Sequence, residues 1–195
     1  MMMLHKSLAI LSYVCLFMAI TSTAQLPPVL DTGGEPLRRG VEYYIKPAIT
    51  DVAGNLTLKS RSNAPCPLYV GQEAVTSTNI GLPVTFTPIV ASEDIIEESR
   101  GLNIVFQASS TCIMSTQWRV DEAESDTGRR FVGTGNDDGP TGVFRIDRNN
   151  GVYNIVWCPA MMGRPRCGSA GILVEDGVRL LALDGDAFPF EFVKS

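Results

Sequence analysis

Residues 29–45 of the chain read VLDTGGEPLRRGVEYYI, in which a glycine-rich turn separates two short apolar segments. Val29 and Leu30 precede an Asp-x-Gly-Gly turn, and a further glycine at position 40 precedes the second apolar segment, residues 43–45. Asp and Gly favour turns, whereas Val, Ile and Tyr favour strands. The stretch therefore predicts two strands joined by turns.

The rest of the chain repeats this pattern of short apolar runs separated by turn residues. Further runs that predict strands lie at 56–58, 82–86, 102–106, 117–120, 143–146, 152–157, 172–174, 178–183 and 188–193. The cluster at 133–140 is interpreted as a turn, and the pair Asn150-Gly151 suits a two-residue hairpin. About ten to twelve short strands, with Trp118 and Trp157 as core residues, indicate an all-β domain, either a sandwich or a barrel.

The first 24 residues have the pattern of a secretory signal. Lys6 precedes an apolar run over residues 8–20 and small residues at 22–24, which predicts cleavage before Gln25. Residues 25–195, about 171 residues, then form one domain large enough to bury a core. We expect a secreted monomer without a membrane anchor after signal removal, because no other apolar segment is long enough to span a bilayer.

The charge and the histidine content exclude several classes of function. The chain has 16 Lys and Arg against 21 Asp and Glu, and Lys6 lies in the signal, so the remainder has a formal charge of −6. Nucleic-acid binding needs a clustered basic surface, which the sequence lacks. The single histidine, His5, also lies in the signal, so a Ser-His-Asp site, a Cys-His site and histidine-ligated zinc are excluded. Carboxylate pairs such as Glu97 and Glu98 leave acid–base catalysis open beside solvated loop charge, but we expect no enzyme, metal or cofactor.

The cysteine count indicates disulfides. Four cysteines remain after signal removal: Cys66, Cys112, Cys158 and Cys167. An even number in an oxidising compartment predicts two bridges, and the residues alone leave three pairings open. A zinc site is the alternative, although the chain has no Cys-x-x-Cys motif.

One N-glycosylation sequon occurs in the chain, Asn55-Leu56-Thr57, directly after Gly54. In a secreted protein such a sequon on a turn can accept a glycan. Asn55 is therefore the predicted glycosylation site.

Segment 29–45 resembles the signature of the plant Kunitz-type inhibitors, the group of soybean trypsin inhibitor and miraculin-like proteins. Other segments extend the resemblance along the chain: Cys66-Pro67-Leu68, 102–106, 118–121, Trp157-Cys158-Pro159, Cys167-Gly168 and 188–192. The resemblance implies a β-trefoil, which is a pseudo-threefold barrel with a cap, and the pairings Cys66–Cys112 and Cys158–Cys167. It also implies an endopeptidase inhibitor that presents a rigid, substrate-like loop to a serine protease.

The resemblance places this reactive loop within residues 87–93. Its predicted central residues are Pro88, Ile89, Val90, Ala91 and Ser92. Val90 aligns with the primary specificity residue, where trypsin inhibitors have Arg or Lys to pair with a buried aspartate of the enzyme. Leaving that carboxylate unpaired costs roughly 2–5 kcal/mol, so we expect no tight inhibition of trypsin and a better fit to elastase-like or subtilisin-like pockets.

Arg39 stands where the family has an asparagine that braces the reactive loop. We expect that the longer cationic side chain cannot make the same compact set of hydrogen bonds to the loop backbone. Arg39 is therefore a second departure from the inhibitor pattern.

A second hypothesis is a miraculin-like binding or storage protein that has lost the reactive loop. Residues 97–104 resemble miraculin-like members, and 87–101 would then be only a solvated acidic loop. Residues 159–166 lack the additional cysteines of miraculin, which excludes its extra disulfide.

Overall fold

The computed structural model describes residues 26–49, 53–62, 64–112, 114–136, 139–159, 167–183 and 185–195. The predicted signal at 1–24, its cleavage site and residues 160–166 lie outside this range. In the described part of the chain no helix has the length and apolar character needed to cross a membrane.

The described residues are dominated by short strands. Their bounds are β1 Glu42–Pro47, β2 Leu56–Arg61, β3 Ala64–Gln72, β4 Val84–Pro88, β5 Leu102–Phe106, β6 Trp118–Val120, β7 Val132–Thr134, β8 Phe144–Asn149, β9 Val152–Trp157, β10 Gly168–Ser169, β11 Gly171–Glu175, β12 Val178–Ala182 and β13 Phe190–Lys194. One turn of 3-10 helix, Pro140–Gly142, precedes β8. The prediction of an all-β domain is confirmed.

Six strands close into a barrel. They pair in the order β9-β13-β1-β4-β5-β8, and an antiparallel β8–β9 pair closes the ring, with β10 added beside β9. The β8–β9 hairpin turns at Asn150 and Gly151, whose φ angles of 50° and 87° are those of the predicted two-residue turn.

The remaining strands form three hairpins: β2–β3, β6–β7 and β11–β12. One hairpin lies between consecutive barrel strands in each third of the chain: between β1 and β4, between β5 and β8, and between β9 and β13. Strand β3 pairs with both β7 and β12, so the hairpins join in a cap. This threefold barrel with its cap is a β-trefoil, and the alternative of a sandwich is wrong.

The core fills the barrel and the cap because alternate residues of the barrel strands point inward. The burial of β1, β4 and β5 alternates, as expected for strands that have one face on the core. Trp118 is fully buried, with ring centroids 5.5 Å from Phe106 and 5.9 Å from Phe144. Trp157 is also buried, so both tryptophans are core residues as predicted.

Two local predictions differ from the structure. Val132–Thr134 forms β7, although 133–140 was predicted as a turn. A Cβ on Gly133 would lie 3.2 Å from the carboxylate of Asp121 on the neighbouring strand connection, so a larger residue there would require that side chain to shift. Residues 29–30 do not form a strand: Leu30 has only an isolated bridge to Pro36, because the chain turns directly after it.

Arg61 connects separate parts of the cap. The Arg61 guanidinium donates to both carboxylate oxygens of Glu175, at 2.5 and 2.9 Å, and also to Glu124. Its carbon lies 3.8 Å from the centroid of Phe131. The hydrogen bond from Arg61 lowers the pKa of Glu175, and bonds from Thr127 and Arg61 lower that of Glu124. Arg61 therefore ties β2 to the β11–β12 hairpin and to the β6–β7 connection.

Candidate functional site

The candidate site is the connection between β4 and β5, residues 89–101. These two strands pair in unbroken register from Val84 opposite Phe106 to Pro88 opposite Leu102. Barrel pairing therefore fixes both ends of the connection. The first bond beyond the strands runs from the Ile89 amide to the Gly101 carbonyl at 3.0 Å.

The tip of this connection exposes apolar side chains. Pro88 is buried at the end of β4, whereas Ile89 is 51% and Val90 46% exposed. Ala91 and Ser92 are exposed as well. A partner that covers these two adjacent apolar side chains would remove their surface from water, which favours association.

Arg39 braces the tip. One of its terminal nitrogens donates to the carbonyl of Pro88 at 3.5 Å and to that of Val90 at 3.2 Å. Its backbone amide donates to the Asp94 carbonyl at 2.8 Å. The Arg39 side chain thus reaches two loop carbonyls, but not with a compact set of hydrogen bonds. Both bonds use a single nitrogen and are long, and Nε is buried without a partner among the described residues.

The descending limb of the connection pairs with the N-terminal segment. The Ile96 amide donates to Leu37 at 2.9 Å, and the Ile96 carbonyl accepts from Val29 at 2.9 Å. All three side chains are buried. The stretch that opens the domain therefore holds one side of the loop. Sequence reasoning missed this role of Ile96, although an apolar pair at 95–96 among acidic residues was a signal for it.

A tight turn shapes the tip itself. The Glu93 amide donates to the Val90 carbonyl at 3.1 Å, which closes a four-residue turn. The Val90 carbonyl therefore accepts two intramolecular bonds, one from Glu93 and one from Arg39.

Acidic residues of the connection are paired. Arg100 bonds to Glu97 at 3.2 Å and lies 3.8 Å from Glu93, and Arg148 of β8 bonds to Glu98 at 2.6 Å. The hydrogen bond that Arg148 donates to Glu98 raises the pKa of Arg148. These contacts hold the limb against the barrel, so 93–98 is not merely a solvated run of charge.

The structure contains the disulfides Cys66–Cys112 and Cys158–Cys167, the pairing that the resemblance implies. The first closes a chain segment of 46 residues that contains β4, the candidate loop and β5. Cys158 lines a cleft of about 430 Å³ next to Ile89 and Val90.

Asn55 lies just before β2 and is half-buried. Its side-chain amide donates to the Ile80 carbonyl at 2.6 Å, and Thr57 of the sequon is buried. The sequon therefore lies between the first cap hairpin and the β3–β4 connection, far in sequence from the candidate loop.

Comparisons with known proteins agree with this architecture. The family model for the legume Kunitz group, described as trypsin and protease inhibitor, matches residues 29–194. Kunitz type trypsin inhibitor 106 of Medicago truncatula is 44% identical over 200 residues, which cover 97% of this chain and 96% of that protein. Miraculin of Synsepalum dulcificum is 36% identical over 185 residues, which cover 86% of this chain and 83% of that protein.

A solved structure shows the same fold. The rice bifunctional alpha-amylase/subtilisin inhibitor from Oryza sativa superposes with a TM-score of 0.74 at 31% identity, covering 88% of this chain and all of that one. Both the family-model match and the alignment with the Medicago relative cover nearly the whole of the described domain. The chain therefore belongs to the legume Kunitz family of trypsin and protease inhibitors.

Proposed function

We propose that the chain inhibits a serine endopeptidase by inserting the tip of the reactive loop into the substrate cleft, with Val90 as the primary specificity residue. The observation that carries the proposal is an exposed apolar tip on a braced connection. Ile89 and Val90 project into solvent, while Arg39 and the paired limb at Ile96 hold the backbone. A loop that is ordered before binding loses little conformational entropy on association.

The side chain at the tip favours a peptidase with a small or apolar pocket. Val90 has no charge for the buried carboxylate of a tryptic pocket, and that carboxylate would lose its water without gaining a partner. Support for this specificity comes from the rice relative, which is named as a subtilisin inhibitor. Tight inhibition of trypsin is not part of the proposal.

A protease panel tests the proposal. The mature protein, Val90→Arg and the control Val75→Arg are titrated against trypsin, chymotrypsin, elastase, subtilisin and papain. Val75 is an exposed valine outside the loop, so the control adds the same charge elsewhere. We expect the unchanged protein to inhibit subtilisin or elastase, and only Val90→Arg to gain inhibition of trypsin. Nanomolar inhibition of trypsin by the unchanged protein, or a panel without any inhibition, contradicts the proposal.

The Val90 carbonyl favours a second candidate, a miraculin-like binding or storage protein without inhibitory activity. A serine protease must receive the scissile carbonyl in its oxyanion hole. The Val90 carbonyl instead accepts bonds from Arg39 and Glu93, and both must break before it can be presented. The relationship to miraculin is compatible with this alternative. Rapid cleavage near residue 90 without inhibition of any panel enzyme would support it.

We also propose that the protein is secreted as a monomer after cleavage before Gln25 and carries a glycan on Asn55. The signal-like composition of residues 1–24 and the position of Asn55 at the edge of the cap support this. Expression in a secreting plant host, followed by mass measurement before and after glycan removal, tests both points. Asn55→Gln is the control, and light scattering gives the oligomeric state.

A further inference from the structure

A second cleft lies on the barrel wall, where the N-terminal turn meets the β1–β13 pair and the β8–β9 hairpin. Its volume of about 550 Å³ is in the range of small-molecule sites. Polar side chains dominate its described lining: Asp31, Thr32, Lys46, Arg148, Tyr153 and Glu191. None of residues 89–94 lines it, so the cleft is separate from the reactive loop.

A buried tyrosine hydroxyl belongs to the lining of this cleft. Tyr153 is 5% exposed, and its oxygen accepts bonds from the Leu30 amide at 2.9 Å and from Arg148 at 2.5 Å. Two accepted bonds occupy the oxygen's lone pairs, so the hydroxyl can act further only as a donor. No described residue accepts its proton. A ligand oxygen that accepts this proton therefore gains a hydrogen bond in the cleft.

The rim of this cleft carries hydrogen-bond acceptors as well as hydrogen-bond donors. Lys46 lies 3.1 Å from Glu191 across the β1–β13 pair, with both side chains more than one-third exposed. One carboxylate oxygen of Asp31 accepts the amides of Gly33 and Glu35, at 2.8 and 3.0 Å, which leaves the other oxygen for a ligand. Carboxylate oxygens and an ammonium group therefore surround the opening.

We propose that this cleft binds a saccharide. The cations Lys46 and Arg148 balance the carboxylates Asp31 and Glu191, so the lining does not select a small ion of either sign. A sugar hydroxyl donates and accepts at once, and it can satisfy a carboxylate and a cationic group that lie side by side. The proton of Tyr153 supplies one further donor at the floor of the cleft.

Amide chemical shifts of the ¹⁵N-labelled mature protein test the proposal. The probes are glucose, galactose, mannose, N-acetylglucosamine, sucrose and maltose at millimolar concentrations. We expect at least one to shift the amides of Gly34 and Gly151, which line the cleft, in a saturable manner. Lys46→Gln should weaken that binding about fivefold, which corresponds to the loss of one hydrogen bond. Lys59→Gln, which removes a lysine–glutamate ion pair outside the cleft, should leave it unchanged.

A further variant and a competition experiment test saccharide binding against the alternatives. Tyr153→Phe deletes only the hydroxyl and should weaken binding more than Lys46→Gln. If that variant does not fold, Lys46→Gln and Lys59→Gln decide alone, because both lysine side chains are about one-third exposed. The proposal is overturned if no sugar shifts the two amides, if both lysine variants bind alike, or if inorganic phosphate competes with the sugar. None of these outcomes depends on inhibition of a peptidase.

Discussion

Removal of the Arg39 side chain should loosen the reactive loop without unfolding the domain. In Arg39→Ala the backbone bond to Asp94 stays, and the two bonds to the carbonyls of Pro88 and Val90 are lost. A hydrogen bond from a charged donor contributes about 1.5–3 kcal/mol. At 3.5 and 3.2 Å these two are longer than usual, and the unpaired Nε offsets part of the gain. We therefore expect a net loss of about 1.5 kcal/mol, which raises the open population of the loop about tenfold.

Limited proteolysis measures this change directly. When a loop opens and closes faster than it is cut, the cleavage rate follows its open population. Thermolysin, a metalloprotease outside the proposed inhibition, should therefore cut Arg39→Ala between residues 89 and 94 about ten times faster than the unchanged protein, with the cleavage site identified by mass spectrometry. Arg38→Ala is the matched control, because the neighbouring Arg38 is exposed. Rates for Arg39→Ala within twofold of the control would refute the bracing role.

Three other substitutions test the scaffold. Arg61→Met should lower the free energy of unfolding by about 2–3 kcal/mol and the Tm in calorimetry by roughly 5–10 °C. Because Arg61 holds the pKa of Glu175 below its ordinary value of 4.5, the contribution is complete above pH 4.5, and the Tm difference should shrink as the pH falls below it. Replacing Cys66 and Cys112 together by Ala should cost about 4 kcal/mol in urea unfolding, from the entropy of the 46-residue loop; an unchanged midpoint would contradict this. Gly71→Ala would place a Cβ 2.7 Å from a backbone carbonyl of β12, so we expect a loss above about 2 kcal/mol, and a Tm equal to that of the unchanged protein would show that the cap can shift.

The strands could be predicted from the sequence where side chains alternate, and the prediction was wrong where a distant neighbour decides. For Val152–Trp157, the run of strand-forming side chains and the Asn-Gly turn before it both lie within a few residues of sequence, so the strand could be predicted. By contrast, Gly133 is typical of a turn, and its place in β7 depends on pairing with Tyr69 of β3 and Arg119 of β6. Closure of the barrel depends on the pairing of β8 with β9 while both also pair with other strands. No short segment contains that information, so composition left sandwich and barrel open.

The site could be predicted in outline only. The exposed residues Ile89 and Val90 lie where the family resemblance places the reactive loop. The resemblance could not supply the bonds of Arg39, because its reach depends on how far the backbone of 88–90 lies from residue 39 in the fold. It also could not supply the turn at 90–93, since the bond between Glu93 and Val90 is a property of this loop's own length and sequence.

The first stretch of the domain connects folding to the presentation of the loop. Val29 and Leu37 are fully buried in the core, and their backbones bond to Ile96 on the descending limb. Core burial of such side chains contributes about 1.5–3 kcal/mol each, more than the bonds of Arg39 at the tip. The limb therefore opens only when core residues leave the barrel, whereas the tip opens at the cost of two long hydrogen bonds. The loop is therefore held more firmly on its descending side than at Val90, where turning the carbonyl outward breaks only the bonds from Arg39 and Glu93.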